Sequence, residues 1–278
     1  MATLATRSRP GDGRPWPWWS LTKTAIAACA LCLANRGRID LDDALPGRAF
    51  SLRHLLTHTA GLRCYTALPA YHAAVARGDR PWSDAEILDR ANADEPMAAP
   101  GVRWAYSNVG YLLARRHLEA VEDAPLATLL DREVLGPTGC TDTHLSEGPE
   151  HLPHLPNSAG YDFRWVYHGC LIGPPHDAIR MLDGLLDHVL PPASIATMTD
   201  GRPLGGPIPG RPWTTAAYGL GVMCGAMNGA PVIGHSGAGP FSTCALYRGP
   251  AGTAAAFSTR PTEASTEWAV ARAITPRA

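Results

Sequence analysis

The 278-residue sequence predicts an α+β fold, with helices and strands segregated along the chain rather than alternating. Three observations lead to that expectation. Residues 20–36 place Ala25, Ala28, Cys29, Cys32 and Leu33 at helical spacing, and Gly37 follows as a stop signal. The middle of the chain reads as further helices joined by loops rich in Gly and Pro. From about residue 217, the runs "AYGLGVMCG", "APVIGHSG", "FSTCALYRG" and "GTAAAFST" are separated by Gly, Asn or Pro turns, the pattern of an antiparallel meander. One domain over residues 1–278 is expected, with an α/β lobe (about 1–40 and 215–278) and a helical lobe (about 41–214).

The elements follow in order. "IDLDDAL" is a turn-rich connector, and "SLRHLLTH" is a short helix capped by Ser51. Ser83 caps a helix over 83–93, and Asn108 is placed to cap one running to about 121. Residues 125–135 read as another helix, and 136–165 as loop. "PPHDAIRMLDGLLDHVL" is an amphipathic helix, and "PPASIATMTD" adds a short one with Pro at its start. "GRPLGGPIPGRPW" reads as a long loop, and "TEASTEWAVARAI" closes the chain as a helix.

Composition excludes several function classes. Basic and acidic residues nearly balance, 24 against 25, so neither nucleic acid nor an anionic membrane is an expected partner. The opening stretch has no signal-peptide pattern and no run reaches membrane-span length, which predicts a cytoplasmic protein. Seven cysteines argue against a disulfide framework, and Cys29 and Cys32 read as buried apolar positions in a helix. His54 and His58, and His151 and His154, lack further ligands at metal-binding spacing, so neither metal nor cofactor is expected.

Of the 24 basic residues, Lys23 in "WWSLTKT" is the only lysine. Guanidinium stays charged, whereas a desolvated ammonium can lose its proton and become a base. A chain that otherwise writes Arg therefore points to chemistry at this position. Ser20 lies three residues earlier at a helix start, so the two side chains share one face. The helix N-terminus adds free N–H groups and a positive dipole end, which favour an oxyanion and depress the lysine pKa. Ser20 and Lys23 thus read as a nucleophile beside its base.

Two more motifs supply the residue types such a site needs. Tyr106-Ser107-Asn108 stands just ahead of a helix. A phenol near a cation can pass a proton, and the Asn108 amide can bind a carbonyl or hold Lys23. His235-Ser236-Gly237 follows an apolar strand pattern, where glycine permits close backbone approach.

In this order the motifs resemble the serine β-lactamase and penicillin-binding-protein superfamily, with its S-x-x-K, second polar motif and K-T-G. The Y-S-N form, and H-S-G in place of K-T-G, resemble its class C β-lactamase-like branch of esterases, D-aminopeptidases, DD-peptidases and small amide hydrolases. "SLRHLLTHTAGL", "YSNVGYLLA" and "YGLGVM" extend the resemblance from about Trp16 to the C-terminal helix. It implies a β-lactamase/transpeptidase-like fold and hydrolysis of an ester or amide, with acyl transfer or a purely binding role as alternatives. Ser20 would be the acylated nucleophile, with Lys23 and Tyr106 sharing the acid/base role. Asn108 would orient Lys23 and substrate, and His235 and Ser236 would line the site from the sheet edge. The N–H groups of Ser20 and Ala238 would form the oxyanion hole beside Gly237.

The sequence departs from the family pattern at three places. Only 19 residues precede Ser20, which implies a shortened N-terminal part and a sheet that lacks strands or is completed in a homo-oligomer. His235 replaces the lysine of K-T-G, so a permanent grip on a carboxylate is lost and neutral small-molecule esters, amides or peptides are favoured over β-lactams. Finally, Trp165, Tyr167 and His168 of "FRWVYHG", with Trp213, are candidates for an apolar acyl pocket.

Overall fold

The computed structural model describes residues 1–259 and 262–276. The chain opens with strands β1 (Ala2–Thr6) and β2 (Trp16–Pro17), then a 3-10 turn (Trp19–Leu21) that leads into helix α1 (Thr22–Asn35). Helices α2 (Leu52–Leu56), α3 (Pro69–Arg77), α4 (Asp84–Arg90), α5 (Asn108–Glu122) and α6 (Leu126–Leu130) fill the middle. A π turn (Asp131–Leu135) joins α6 to α7 (Gly136–Thr138). Strands β3 (His144–Ser146) and β4 (Cys170–Gly173) precede α8 (Pro175–Gly184) and α9 (Pro192–Thr199). Strands β5 (Arg202–Gly205), β6 (Trp213–Tyr218), β7 (Met223–Met227), β8 (Ala230–Ala238), β9 (Thr243–Gly249) and β10 (Gly252–Ser258) follow, and α10 (Glu263–Ile274) ends the chain.

The C-terminal strands form the expected meander within a seven-stranded antiparallel sheet, ordered β1-β10-β9-β8-β7-β6-β5. Two strands of this sheet were not legible beforehand. β1 pairs with β10 from Ala2↔Ser258 to Thr6↔Ala254, and β5 lies in what reads as a Pro/Gly loop. β5 is a fully exposed edge strand, a place where a Pro costs no ladder bond. A second sheet, β2-β4-β3, ties the start of the chain to the stretch 136–173, much of which reads as loop.

α1 is buried nearly all round, from Thr22 to Leu31 and at Leu33, which explains its small and apolar residues on every face. It lies in the main core, packed against α5, α6, α9 and the π turn. α10 covers the opposite sheet face through Val270, Ala271 and Ile274. Ser51 and Ser83 cap α2 and α4 as expected. The cap of α5 is Ser107 rather than Asn108: Ser107 Oγ accepts from the Gly110 N–H at 3.1 Å, which leaves the Asn108 side chain free to face elsewhere. The seven cysteines are free. No described helix is long and apolar enough to cross a membrane.

Candidate active site

The turn that carries Ser20 is held from two sides. The Trp18 N–H donates to Leu171 O (2.8 Å), and the Leu171 N–H donates to Thr22 Oγ1 (3.0 Å), which ties the start of α1 to β4. Thr24 Oγ1 donates to Gly221 O (2.7 Å), which ties it to the β6–β7 turn. Gly221 has φ +67°, and a Cβ there would fall 2.6 Å from Lys23 O, so only glycine lets the turn approach so closely. Trp19 adopts φ 45°, uncommon for a bulky residue, and the sharp turn it makes presents half-buried Ser20 beside β8.

Three predicted residues meet at Ser20. Lys23 Nζ donates to Ser20 Oγ at 3.1 Å, the i,i+3 approach expected from the sequence. The Tyr106 O–H, brought from the start of α5, donates to the same oxygen at 2.7 Å. Lys23 is fully buried, and among the described residues no carboxylate pairs with it. Desolvation lowers its pKa from the usual 10.5 to about 7. Nζ also lies 5.0 Å and 5.3 Å from the ring centroids of Tyr106 and Tyr111. Burial pushes the Tyr106 phenol well above its ordinary value, so it stays protonated near neutral pH. Lys23 is therefore the group poised to lose a proton, and Tyr106 the group poised to give one.

Two histidines complete the setting: His58, given no site role from the sequence, and His168, expected as an acyl-pocket residue, which does line the Ser20 cavity. His168 Nε2 stands 3.1 Å from Lys23 Nζ. Burial, and the charge of Lys23, hold His168 neutral. Asn108 was expected to hold Lys23; His168 makes that contact instead. Asn108 lines the Ser20 cavity, and its buried Oδ1 has no hydrogen-bond partner. His58 packs 4.3 Å from Tyr106, centroid to centroid, and its Nδ1 accepts from the Ser107 N–H (3.1 Å), which fixes the Tyr-Ser-Asn turn. No local sequence signal gives either histidine its contact here, because each contact joins segments far apart in the chain.

The β8 motif divides between two faces. Gly237 meets the Ser20 backbone: a Cβ on it would lie 2.8 Å from Trp18 O and 2.9 Å from Ser20 N. The Gly239 N–H donates to Ser242 O (3.0 Å), so ladder alternation turns the Ala238 N–H away from β9. β7 stops pairing at Met223↔Gly234, which leaves that side of Ala238 open towards the cavity it lines. His235 is buried, its Nε2 2.9 Å from Tyr218 Oη, with a pKa pushed down to about 3 by burial and by Lys23. β8 is the fourth of seven strands, so the motif lies inside the sheet rather than at its edge.

Three expectations are corrected. Ser236 points to the opposite face, where its Oγ donates to Glu267 of α10 (2.6 Å) and lies 2.8 Å from Tyr247 Oη. Successive strand residues face opposite sides, so His235 and Ser236 cannot both line the site. Trp213 is also behind the sheet, its Nε1 donating to Glu267 (3.2 Å) and its ring against Tyr247. Trp165 is buried between Tyr71 and Trp82 and does not line the Ser20 cavity. The aromatic walls of that cavity are Trp19, Tyr65, Tyr71 and Tyr161. Asp142, His176 and Asp177 bring potential metal-ligand atoms within 4.8 Å of one another, outside this cavity. Buried Asp177 is already satisfied by the Asp142 N–H, Thr143 Oγ1 and Arg180.

Comparison with known proteins agrees with this arrangement. An uncharacterized protein of Mycobacterium tuberculosis is 27% identical over 280 residues, covering 82% of this chain and 65% of the relative; the chain thus spans under two thirds of that protein's length. A D-stereospecific amidohydrolase from Streptomyces sp. superposes with a TM-score of 0.80 at 24% identity, covering 94% of this chain and 88% of that one. The D-amino acid amidase of Ochrobactrum anthropi SV3 superposes with a TM-score of 0.75 at 23% identity, covering 92% and 86%. These likenesses establish the β-lactamase/transpeptidase fold. The beta-lactamase family profile matches residues 2–274, nearly the whole sequence, and the chain belongs to that family.

Proposed function

We propose that this protein is a serine hydrolase that cleaves an ester or amide through an acyl-enzyme on Ser20. The observation that carries the proposal is the convergence of Lys23 Nζ and the Tyr106 hydroxyl on Ser20 Oγ, at 3.1 Å and 2.7 Å. A chain with one lysine, buried and, among the described residues, unpaired by any carboxylate, gains nothing in stability from keeping it. That favours catalysis over a purely binding role.

The proton path follows from the two pKa directions. Neutral Lys23 takes the Ser20 proton as Oγ attacks the substrate carbonyl. The N–H groups of Ser20 and Ala238 receive the developing oxyanion beside Gly237. The Tyr106 phenol protonates the departing alcohol or amine, and the phenolate is left beside the Lys23 ammonium. Water then attacks the acyl carbonyl and gives a proton to Tyr106. The Lys23 ammonium returns its proton to Ser20 Oγ as the acid leaves, and the starting state is restored. His168 stays neutral throughout and accepts one Lys23 hydrogen bond, which helps aim the remaining lone pair at Ser20.

His235 is neutral, so the site offers no second cation to grip a substrate carboxylate. This supports neutral substrates and weak or absent β-lactamase activity. The two superposed enzymes are named as amide hydrolases of D-configured substrates, so amides stand beside esters in the test. Intact mass and turnover with p-nitrophenyl esters, D- and L-amino-acid amides and a chromogenic cephalosporin should show an adduct or product that Ser20→Ala abolishes. If no compound is turned over or bound covalently, the acyl-enzyme reading is wrong.

A further inference from the structure

The Ser20 cavity holds about 70 Å³, about half of the roughly 150 Å³ apolar cavity that takes up benzene in another protein. Its lining contains no carboxylate and no guanidinium. Trp19 is the wall beside the nucleophile, and it is locked. Its Nε1 donates to Ser242 Oγ (2.9 Å), and its ring meets those of Phe241, Phe163 and Tyr161 at 5.2, 5.5 and 5.9 Å. It also lies directly on Gly239: a Cβ there would fall 2.3 to 2.5 Å from three indole atoms. The indole thus fills the space beside the backbone just past Ala238.

We propose that Trp19 sets the acyl specificity of this site and restricts it to short, uncharged acyl groups. The proposal rests on the hydrolase reading above. An acyl group stays on Ser20 from the first half-reaction into the second and has to lie against these walls, whereas the leaving group needs only a way out. Half of the volume that takes up benzene holds an acetyl or propionyl group. A longer chain has to displace a ring held by a hydrogen bond and three aromatic neighbours, and in a close-packed wall that movement is resisted. A charged acyl group would enter without a partner, which burial penalises. A peptide laid along β8 beyond Ala238 meets the same ring, so short substrates are favoured over extended peptides.

The test is kcat/KM for p-nitrophenyl acetate, butyrate, octanoate and hemisuccinate, with wild type and Trp19→Gly. Glycine tolerates the positive φ of position 19, so the variant opens the cavity without backbone strain. The expected result is at least a tenfold fall from acetate to octanoate and to hemisuccinate in wild type, with the octanoate penalty reduced about tenfold in Trp19→Gly. Labelling of Ser20 in wild type by ethyl and octyl fluorophosphonates, read by intact mass, gives the same length ratio should the variant not fold. Equal turnover or labelling across chain lengths overturns the proposal while leaving the hydrolase reading intact. No turnover and no label at Ser20 overturns both.

Discussion

Gly237 and Ser20 meet backbone to backbone: a Cβ on Gly237 would lie 2.9 Å from the Ser20 nitrogen. Real Cβ atoms do not approach that closely, and the second neighbour, Trp18 O at 2.8 Å, is also main chain. Gly237→Ala should therefore push β8 off the nucleophile's turn and disturb the donors facing the oxyanion. Loss of one such donor costs about 10²–10³ in kcat, and a fall of that order is expected, with far-UV circular dichroism unchanged. Full activity in Gly237→Ala would remove Ser20 and Ala238 as the oxyanion donors.

Lys23 is a buried group whose stability cost and proposed use are opposed. Between about pH 7 and its ordinary 10.5 the unfolded chain holds a proton that the folded chain lacks. This group alone thus makes stability rise with pH across that window. Lys23→Met removes the cost, so the variant should be more stable at pH 7 by on the order of 1–4 kcal/mol. It should also lose the pH slope and show no turnover. Urea titrations at pH 7 and 9 check the first two, and a less stable Lys23→Met would show that the ammonium is well compensated.

The acylation rate should rise with pH along a limb centred near 7, because only neutral Lys23 accepts the Ser20 proton. Tyr106, held as phenol, should impose no loss until well above neutrality. The pH dependence of kcat/KM measures the first limb. Because Lys23 is the only lysine, ¹⁵N-lysine labelling gives a single side-chain signal whose titration should match it.

His168→Leu removes the hydrogen-bond acceptor of the Lys23 ammonium. A neutral acceptor favours the charged form, so its loss should move the acid limb of kcat/KM to lower pH. kcat should fall about tenfold as the base loses its aim, within the range of general-base effects. His168→Gln keeps an acceptor and should hold the limb in place. A loss of rate with an unmoved limb in His168→Leu would mean that the residue only packs.

Glu267 anchors the back of the motif strand. It is fully buried and accepts from Arg211, from Trp213 Nε1 (3.2 Å) and from Ser236 Oγ (2.6 Å). Glu267→Ala leaves Arg211 with Glu263 alone, 3.5 Å away, and strands the buried Ser236 hydroxyl and Trp213 N–H; leaving buried polar groups unpaired costs about 1–3 kcal/mol. Urea denaturation should show a loss of that order. A change below about 1 kcal/mol would place the pair with ordinary surface ion pairs.

Much of this protein was legible in the sequence where the signal was local. Ser20 and Lys23 share a face because three residues span almost one helical turn. The meander showed itself through apolar runs cut by Gly, Asn and Pro, and Tyr106 through its motif. β1, β3 and β5 carry no such signal: they are short or edge strands that exist because a neighbour offers a ladder. The split between His235 and Ser236 rests on strand parity. Apolar Ile233 and Val232 lie on the same two faces, the first against the main core and the second against α10's cluster, but only the packing says which face holds the nucleophile.

The sequence by itself determined the family and the pairing of Ser20 with Lys23, because those depend on residue type and on spacing within one element. Tertiary structure decided what surrounds them: His168 rather than Asn108 against Lys23, His58 under Tyr106, Trp19 as the cavity wall, and Trp165 and Trp213 elsewhere. Desolvation and shape are properties of all the elements that close around a point. No single segment records them, so the lowered pKa of Lys23 and the narrowness of the Ser20 cavity emerge only when helix, sheet and loops pack together.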